Sequence, residues 1–241
     1  MFINLSSKFA YLAFAVGVYL VFFLIGFRRP KWRRQLNVMS FCGGVGGLLI
    51  SQLYRQDFWN PPSVFDIHLG PVYLAIEDAL FGAGFIGIVT LLPQLGTHHL
   101  ESRKETEPLT NRLMVVVVTF FTTMVFWLGG LHSLTATSLG FAAGALVLCA
   151  YQRDLQVYAC WGAVFTPVLY FSLLGVFFLV INNTVALKET LCQYCLTASA
   201  PDVIIRLLFW SVTFGALFGP FYAFMASKRY VKTWPRGHYE S

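Results

Sequence analysis

Seven long apolar runs separated by short polar stretches organise the chain. They cover about 9–27, 36–54, 71–92, 113–131, 134–151, 157–181 and 203–227. Each is close to the ~20 residues that an α-helix needs to cross a bilayer core. The run Met114-Val115-Val116-Val117-Val118 has strand propensity, but in lipid a span of this length satisfies its backbone only as a helix. The expected fold is therefore an all-α polytopic membrane protein with seven transmembrane helices. Composition agrees: 57% of residues are hydrophobic and 12% charged, with a mean hydropathy of +0.65, outside the range of soluble domains.

Charge fixes the expected orientation. The net charge of +6 does not point to nucleic acid, because the basic residues flank the apolar runs. Of the 17 Lys and Arg residues, all but Lys8, Arg55, Lys188 and Arg206 fall on one side of a seven-span topology. The positive-inside rule then puts the N-terminus outside and the C-terminus in the cytoplasm, in a membrane expected to be the bacterial inner membrane. The first run is read as a retained helix, since its cations Arg28, Arg29, Lys31, Arg33 and Arg34 follow it.

Small residues and cysteines add little chemistry. The Gly43-Gly44-Val45-Gly46-Gly47 run lies inside a span and reads as close helix packing rather than a dinucleotide loop. Gly140-x-x-x-Gly144 and Gly215-x-x-x-Gly219 read the same way. Cys192 and Cys195 have half the spacing of a zinc or redox site, but nothing nearby completes it. His98 and His99 lie in the polar stretch from Pro93 to Arg112, expected to be a solvated loop. No metal and no cofactor are expected. A retinal-linked photoreceptor is excluded, because the last span has no Lys between Val203 and Ala226.

The third and seventh runs look related. Aligning residues 81–87 with 209–215 suggests one membrane domain built as a first repeat (about 9–92), a linking helix (about 113–131) and a second repeat (about 134–227). The alignment sets Glu77 opposite Ile205 and Asp78 opposite Arg206. Arg206 is thus an expected charge partner for the acids.

Glu77 and Asp78 are the candidate chemistry. Ionisable groups inside a span are costly and point to function by default. Counted as a helix from Pro71, Glu77 lies about 9 Å along it. Two neighbouring carboxyls in a dry site are expected to share a proton, which one of them could give to an apolar substrate. Phe81 and Phe85 follow at helical spacing, and Trp59, Asn60, Tyr73 and Trp210 are further candidates for lining a substrate site. Their faces would hold a carbocation by cation–π attraction. Three other readings stay open: a structural ion pair with Arg206 or Arg55, a proton or ion pathway, and aromatics that serve as interfacial anchors or packing.

Trp59-Asn60-Pro61-Pro62, then Ile76-Glu77-Asp78-x-x-Phe81-Gly82, together with the late run Phe214-Gly215-Ala216-Leu217-Phe218-Gly219-Pro220, resembles the membrane lycopene cyclases of the bacterial heterodimer and fungal-domain type. That resemblance implies a cofactor-independent isomerase that cyclises carotenoid end groups after a proton is added, with Glu77 and Asp78 as its acids. The alternative is a non-catalytic isoprenoid- or carotenoid-binding or assembly protein. The expected partners are membrane lipid, an apolar isoprenoid and a homo- or hetero-oligomeric subunit.

Overall fold

A computed structural model describes residues 7–58, 63–70, 72–94, 98–103, 106–180 and 200–232. Among the described residues, seven helices are long and apolar enough to cross a membrane. The chain is an integral membrane protein of the all-α class. The helices are α1 (Ser7–Arg28), α2 (Arg33–Tyr54), α3 (Ile76–Val89), α4 (Leu109–Leu128), α5 (Ser133–Tyr151), α6 (Gln156–Val180) and α7 (Ala200–Met225). Trp59, Asn60, Cys192 and Cys195 lie outside the described residues.

Packing centres on two helices. α3 lies against both α1 and α2, and α7 lies against both α5 and α6. α4 packs on α5 and turns most of its surface outward. Glycine decides how closely the helices meet. A Cβ added to Gly43 would stand 2.3 Å from the carbonyl oxygen of Gly82, and one on Gly47 would stand 2.4 Å from that of Asp78. α6 and α7 meet the same way, where a Cβ on Gly162 would stand 2.1 Å from the Gly215 carbonyl oxygen. Lipid supplies no hydrophobic force between helices, so such backbone approach is a main source of their attraction.

The third apolar run departs from expectation at its start. Residues 72–75 are not helical. Strand β1 (Asp66–Leu69) pairs antiparallel with β2 (Val72–Ala75), with Asp66 opposite Ala75. Gly70 takes a φ of 61° at the turn, a conformation that glycine adopts freely. Val72 and Tyr73 are β-branched and aromatic, and they suit the strand. α3 begins only at Ile76, so Glu77 and Asp78 sit in its first turn rather than well down a helix. The 14 residues of α3 measure about 21 Å, short of a ~30 Å bilayer core. The helix tolerates this because 72% of its span is buried inside the protein.

The opposite end of α3 is tied to α2. Gln35 donates to the Thr90 carbonyl at 2.7 Å, and Gln94 donates to the Gln35 side chain at 2.6 Å. Beyond it, the stretch expected to be a solvated loop forms strand β3 (His98–Ser102), which pairs antiparallel with β4 (Lys228–Lys232) after α7. The chain segments that follow the two central helices are thereby joined.

Replacing Gly82 with Ala should force α2 and α3 apart and cost about 1–3 kcal/mol of stability. Ala at Gly17, where an added Cβ meets nothing within 4 Å, is the matched control. Thermal unfolding of the two purified variants in detergent checks the difference.

Candidate functional site

The first turn of α3 carries two carboxyl groups that are buried but differently surrounded. Glu77 is 0% exposed and Asp78 is 4% exposed. A helix N-terminus favours negative charge, because its first N–H groups point outward without partners. Both acids benefit from that field. Neighbouring residues on a helix point in directions about 100° apart, so they need not share a site. No hydrogen bond joins Glu77 to Asp78, and the expected shared proton is not supported by this geometry.

Glu77 turns toward the segment ahead of the hairpin. Ser63 donates to its Oε2 at 2.6 Å, while the backbone N–H groups of Val64 and Phe65 donate to Oε1 at 2.7 and 3.3 Å. In return, the N–H of Ile76 donates to the Phe65 carbonyl at 3.3 Å. The side chain thus caps a turn and accepts from the buried Ser63 hydroxyl and from two backbone donors, of which the Phe65 N–H also reaches the Ser63 hydroxyl oxygen at 3.1 Å. Glu77 does not line the central cavity.

Asp78 turns toward that cavity. The Tyr11 hydroxyl, from α1, donates to its Oδ1 in a short hydrogen bond. Arg55, just past the end of α2, donates to Oδ2 at 3.2 Å. The Arg55 guanidinium also lies 3.5 Å from the centroid of the Tyr73 ring. Gln52 holds that part of the hairpin by accepting from the Tyr73 N–H at 3.2 Å and donating to its carbonyl. Arg55 is therefore clamped between an acid and an aromatic face.

These contacts correct two expectations. The guanidinium on the acids belongs to Arg55. Arg206 instead pairs with Asp202, one turn earlier on α7, at 3.1 Å and donates to Thr135 at 2.9 Å. The four-residue spacing brings Asp202 to Arg206 on one helix face, whereas alignment across repeats carries no information about side-chain reach. Tyr73 was expected among the substrate-lining residues. It covers Arg55 instead, because the strand conformation of residues 72–75 sets its direction.

The cavity has a volume of about 100 Å³ and lies where α1, α2, α3, α5, α6 and α7 converge. Asp78, Phe81 and Phe85 line it from one face of α3, and Trp210 lines it from α7. Phe81 and Phe85 stack with centroids 5.4 Å apart, and Phe85 continues to Trp210 at 6.2 Å with planes 14° apart. Phe14 stacks on Phe81 at 5.5 Å from the other side. Tyr11, Phe14, Tyr54 and Tyr170 are lining residues that sequence reasoning missed. An aromatic in a span gives no signal of which way it faces; the polar tips of Tyr11 and Tyr54 were the only hint, since a buried hydroxyl seeks a partner.

A directed chain of hydrogen bonds closes the cavity at the same end. The Trp210 indole N–H can only donate, and it reaches the Tyr54 hydroxyl at 2.8 Å. Tyr54 meets Thr137 at 2.8 Å, and Thr137 donates to the Ser133 carbonyl at 2.9 Å. The direction therefore runs from α7 through α2 to α5. Asp57 binds the start of α5, accepting from the Ser133 N–H at 2.6 Å and from its hydroxyl. His132 stands beside it, with Nδ1 4.0 Å from Asp57. Burial holds His132 below its ordinary pKa of 6.5, with Asp57 opposing and Arg206 adding to the shift.

Compared with models of known families, with curated proteins and with solved structures, the chain matches none.

Truncating Glu77 to Ala should leave the Ser63 hydroxyl and the Val64 N–H without this acceptor and cost about 1–3 kcal/mol. The loss should appear as a lower unfolding temperature while the cavity keeps its aromatic lining. A second outcome concerns pH. A histidine whose pKa is lower in the folded protein takes up fewer protons there than it does unfolded. Stability is therefore full above about 6.5 and falls as pH drops below it. Unfolding temperatures at pH 7.5 and 5.5 (about one unit either side of that value) should differ in the parent protein and converge in His132→Gln.

Proposed function

We propose that the chain is a cofactor-independent isomerase of the lycopene-cyclase type, acting on one end of a long isoprenoid or carotenoid. The observation that carries the reading is a single carboxyl group, that of Asp78, facing an aromatic cavity of about 100 Å³. That volume is below the ~300–1,000 Å³ of a pocket enclosing a whole drug-sized ligand. It suits one ring-sized end group, with the remaining hydrocarbon extending toward lipid.

The chemistry needs only a proton that is lent and returned. Asp78, once protonated, gives its proton to the terminal double bond of the end group. The resulting cation closes on a second double bond to form the ring. Loss of a neighbouring C–H proton, back to Asp78, restores neutrality and leaves an isomer of the starting polyene. The faces of Phe81, Phe85 and Trp210 and the negative carboxylate stabilise the intermediate charge. In this account Asp78 is the reacting acid, Tyr11 and Arg55 orient it, and Glu77 holds the turn that positions it. The similar packing of α3 and α7 within their halves supports reading the chain as two repeats joined by α4. An outside N-terminus and a bacterial inner-membrane location complete the proposal.

One observation favours a second reading. Both oxygens of Asp78 already accept hydrogen bonds, from Tyr11 and Arg55. A carboxylate satisfied in this way suits binding without turnover, as in a carrier or assembly protein for isoprenoids.

Expression in lycopene-accumulating cells separates the two. The isomerase should yield β-ring carotenoids. Asp78→Asn should lower that yield at least a hundredfold, on the order of 3 kcal/mol in the barrier, while folded protein is still recovered. Pigment that co-purifies unchanged would support the carrier and overturn the isomerase.

A further inference from the structure

A second concave site lies at the other end of the α1–α2 pair. The turn between these helices carries five cations, Arg28, Arg29, Lys31, Arg33 and Arg34. None of them forms an ion pair with a carboxylate among the described residues. Among the described residues Arg33 engages through its Nε, donating to the Gly26 carbonyl at 3.3 Å, and the residue remains exposed. Trp32, under the Arg29 guanidinium at 5.7 Å, is the kind of residue that sits at headgroup level.

Next to this turn is a groove of about 150 Å³ between α1 and α2. It exists because α1 packs chiefly on α3 and touches α2 little. Phe22 and Leu36, 6% and 1% exposed, form its floor. Phe23 and Phe27, 56% and 68% exposed, form an outer wall that faces lipid. Arg33 and Asn37, one turn apart on α2, form the polar rim. Asn37 is exposed and makes no hydrogen bond to any described residue. Its side-chain amide can donate to a molecule bound in the groove.

From these features we infer that the groove binds one anionic glycerophospholipid. A cluster of cations with no counter-charge among the described residues calls for an anion. An apolar slot running from that cluster into the bilayer calls for an acyl chain on the same molecule. Arg33 takes the phosphate, which a guanidinium can grip through two parallel N–H groups. Asn37 donates to an ester or phosphate oxygen one turn deeper. Phe22, Phe27 and Leu36 hold the start of the chain. A free phosphate would leave the slot empty, and a neutral lipid would leave the cations uncompensated.

The test uses the full-length protein, purified in detergent and incubated with equal amounts of phosphatidylglycerol and phosphatidylcholine. Native mass spectrometry then counts the lipid retained. The parent protein should keep phosphatidylglycerol at least tenfold over phosphatidylcholine. Arg33→Ala combined with Asn37→Ala should reduce that retention about tenfold. The other four cations stay in place, so orientation in the membrane is preserved. Circular dichroism confirms that the variant is folded. If it does not fold, Asn37→Leu alone serves, with a severalfold loss expected. Equal retention of the two lipids by the parent, or undiminished phosphatidylglycerol in a folded variant, would overturn the assignment.

Discussion

The close approach of α2 to α3 sets the geometry of everything around the cavity. At Gly43, Gly47 and Gly82 the two backbones touch with no side chain between them. The end of α2 thereby brings Gln52 to Tyr73 in the hairpin, Tyr54 to Trp210 on α7 and Arg55 to Asp78 in the first turn of α3. A single methyl group at this crossing would displace all three. Inside a bilayer, helices gain nothing from escaping water, so van der Waals contact at such crossings carries much of the association. α6 and α7 use the same device at Gly162 and Gly215, which gives each half one close pair and one central helix.

Polar groups then join the halves at one end of the cavity. Charges and hydroxyls at this depth are costly unless paired. Asp78 is shared by α1 and α2, through Tyr11 and Arg55. Asp57 receives the first turn of α5, and the Trp210–Tyr54–Thr137 chain crosses from α7 to α5. The rings of Phe81, Phe85 and Trp210 fill the space beyond. One end of the space is polar and directed, and the rest is aromatic. That division is what the proposed function draws on. The groove beside Arg33 also pairs a polar rim, Arg33 and Asn37, with an apolar lining of Phe22, Phe23, Phe27 and Leu36.

Much of the candidate site was legible before any coordinates. Glu77 and Asp78 stood out because acids are rare beside apolar runs, and Phe81 and Phe85 followed from helical spacing. Their separation into different roles was not legible. Which of two adjacent side chains faces a cavity depends on where the helix begins, and Pro71 is a good first residue for a helix. The hairpin of residues 66–75 overrode that preference through pairing with Asp66–Leu69, a contact that only becomes favourable once both strands exist. Arg55 was one of two cations that could serve the acids, and nothing local distinguished it from Arg206.

The seven spans, the aromatic richness and the presence of acids near a membrane could be read from the residues alone. Those properties follow from hydropathy, length and the cost of charge in lipid, which act on each segment alone. The tertiary structure alone decided that Tyr11 and Arg55 would meet on Asp78, and that Glu77 would be spent on a turn. It also decided that rings from α1, α3, α6 and α7 would enclose one space. Hydrogen bonds and ring contacts are short-ranged and directional, so they depend on how helices distant in the chain rotate against one another. No local pattern encodes that rotation; the small residues at the crossings do, and only once their partners are in place.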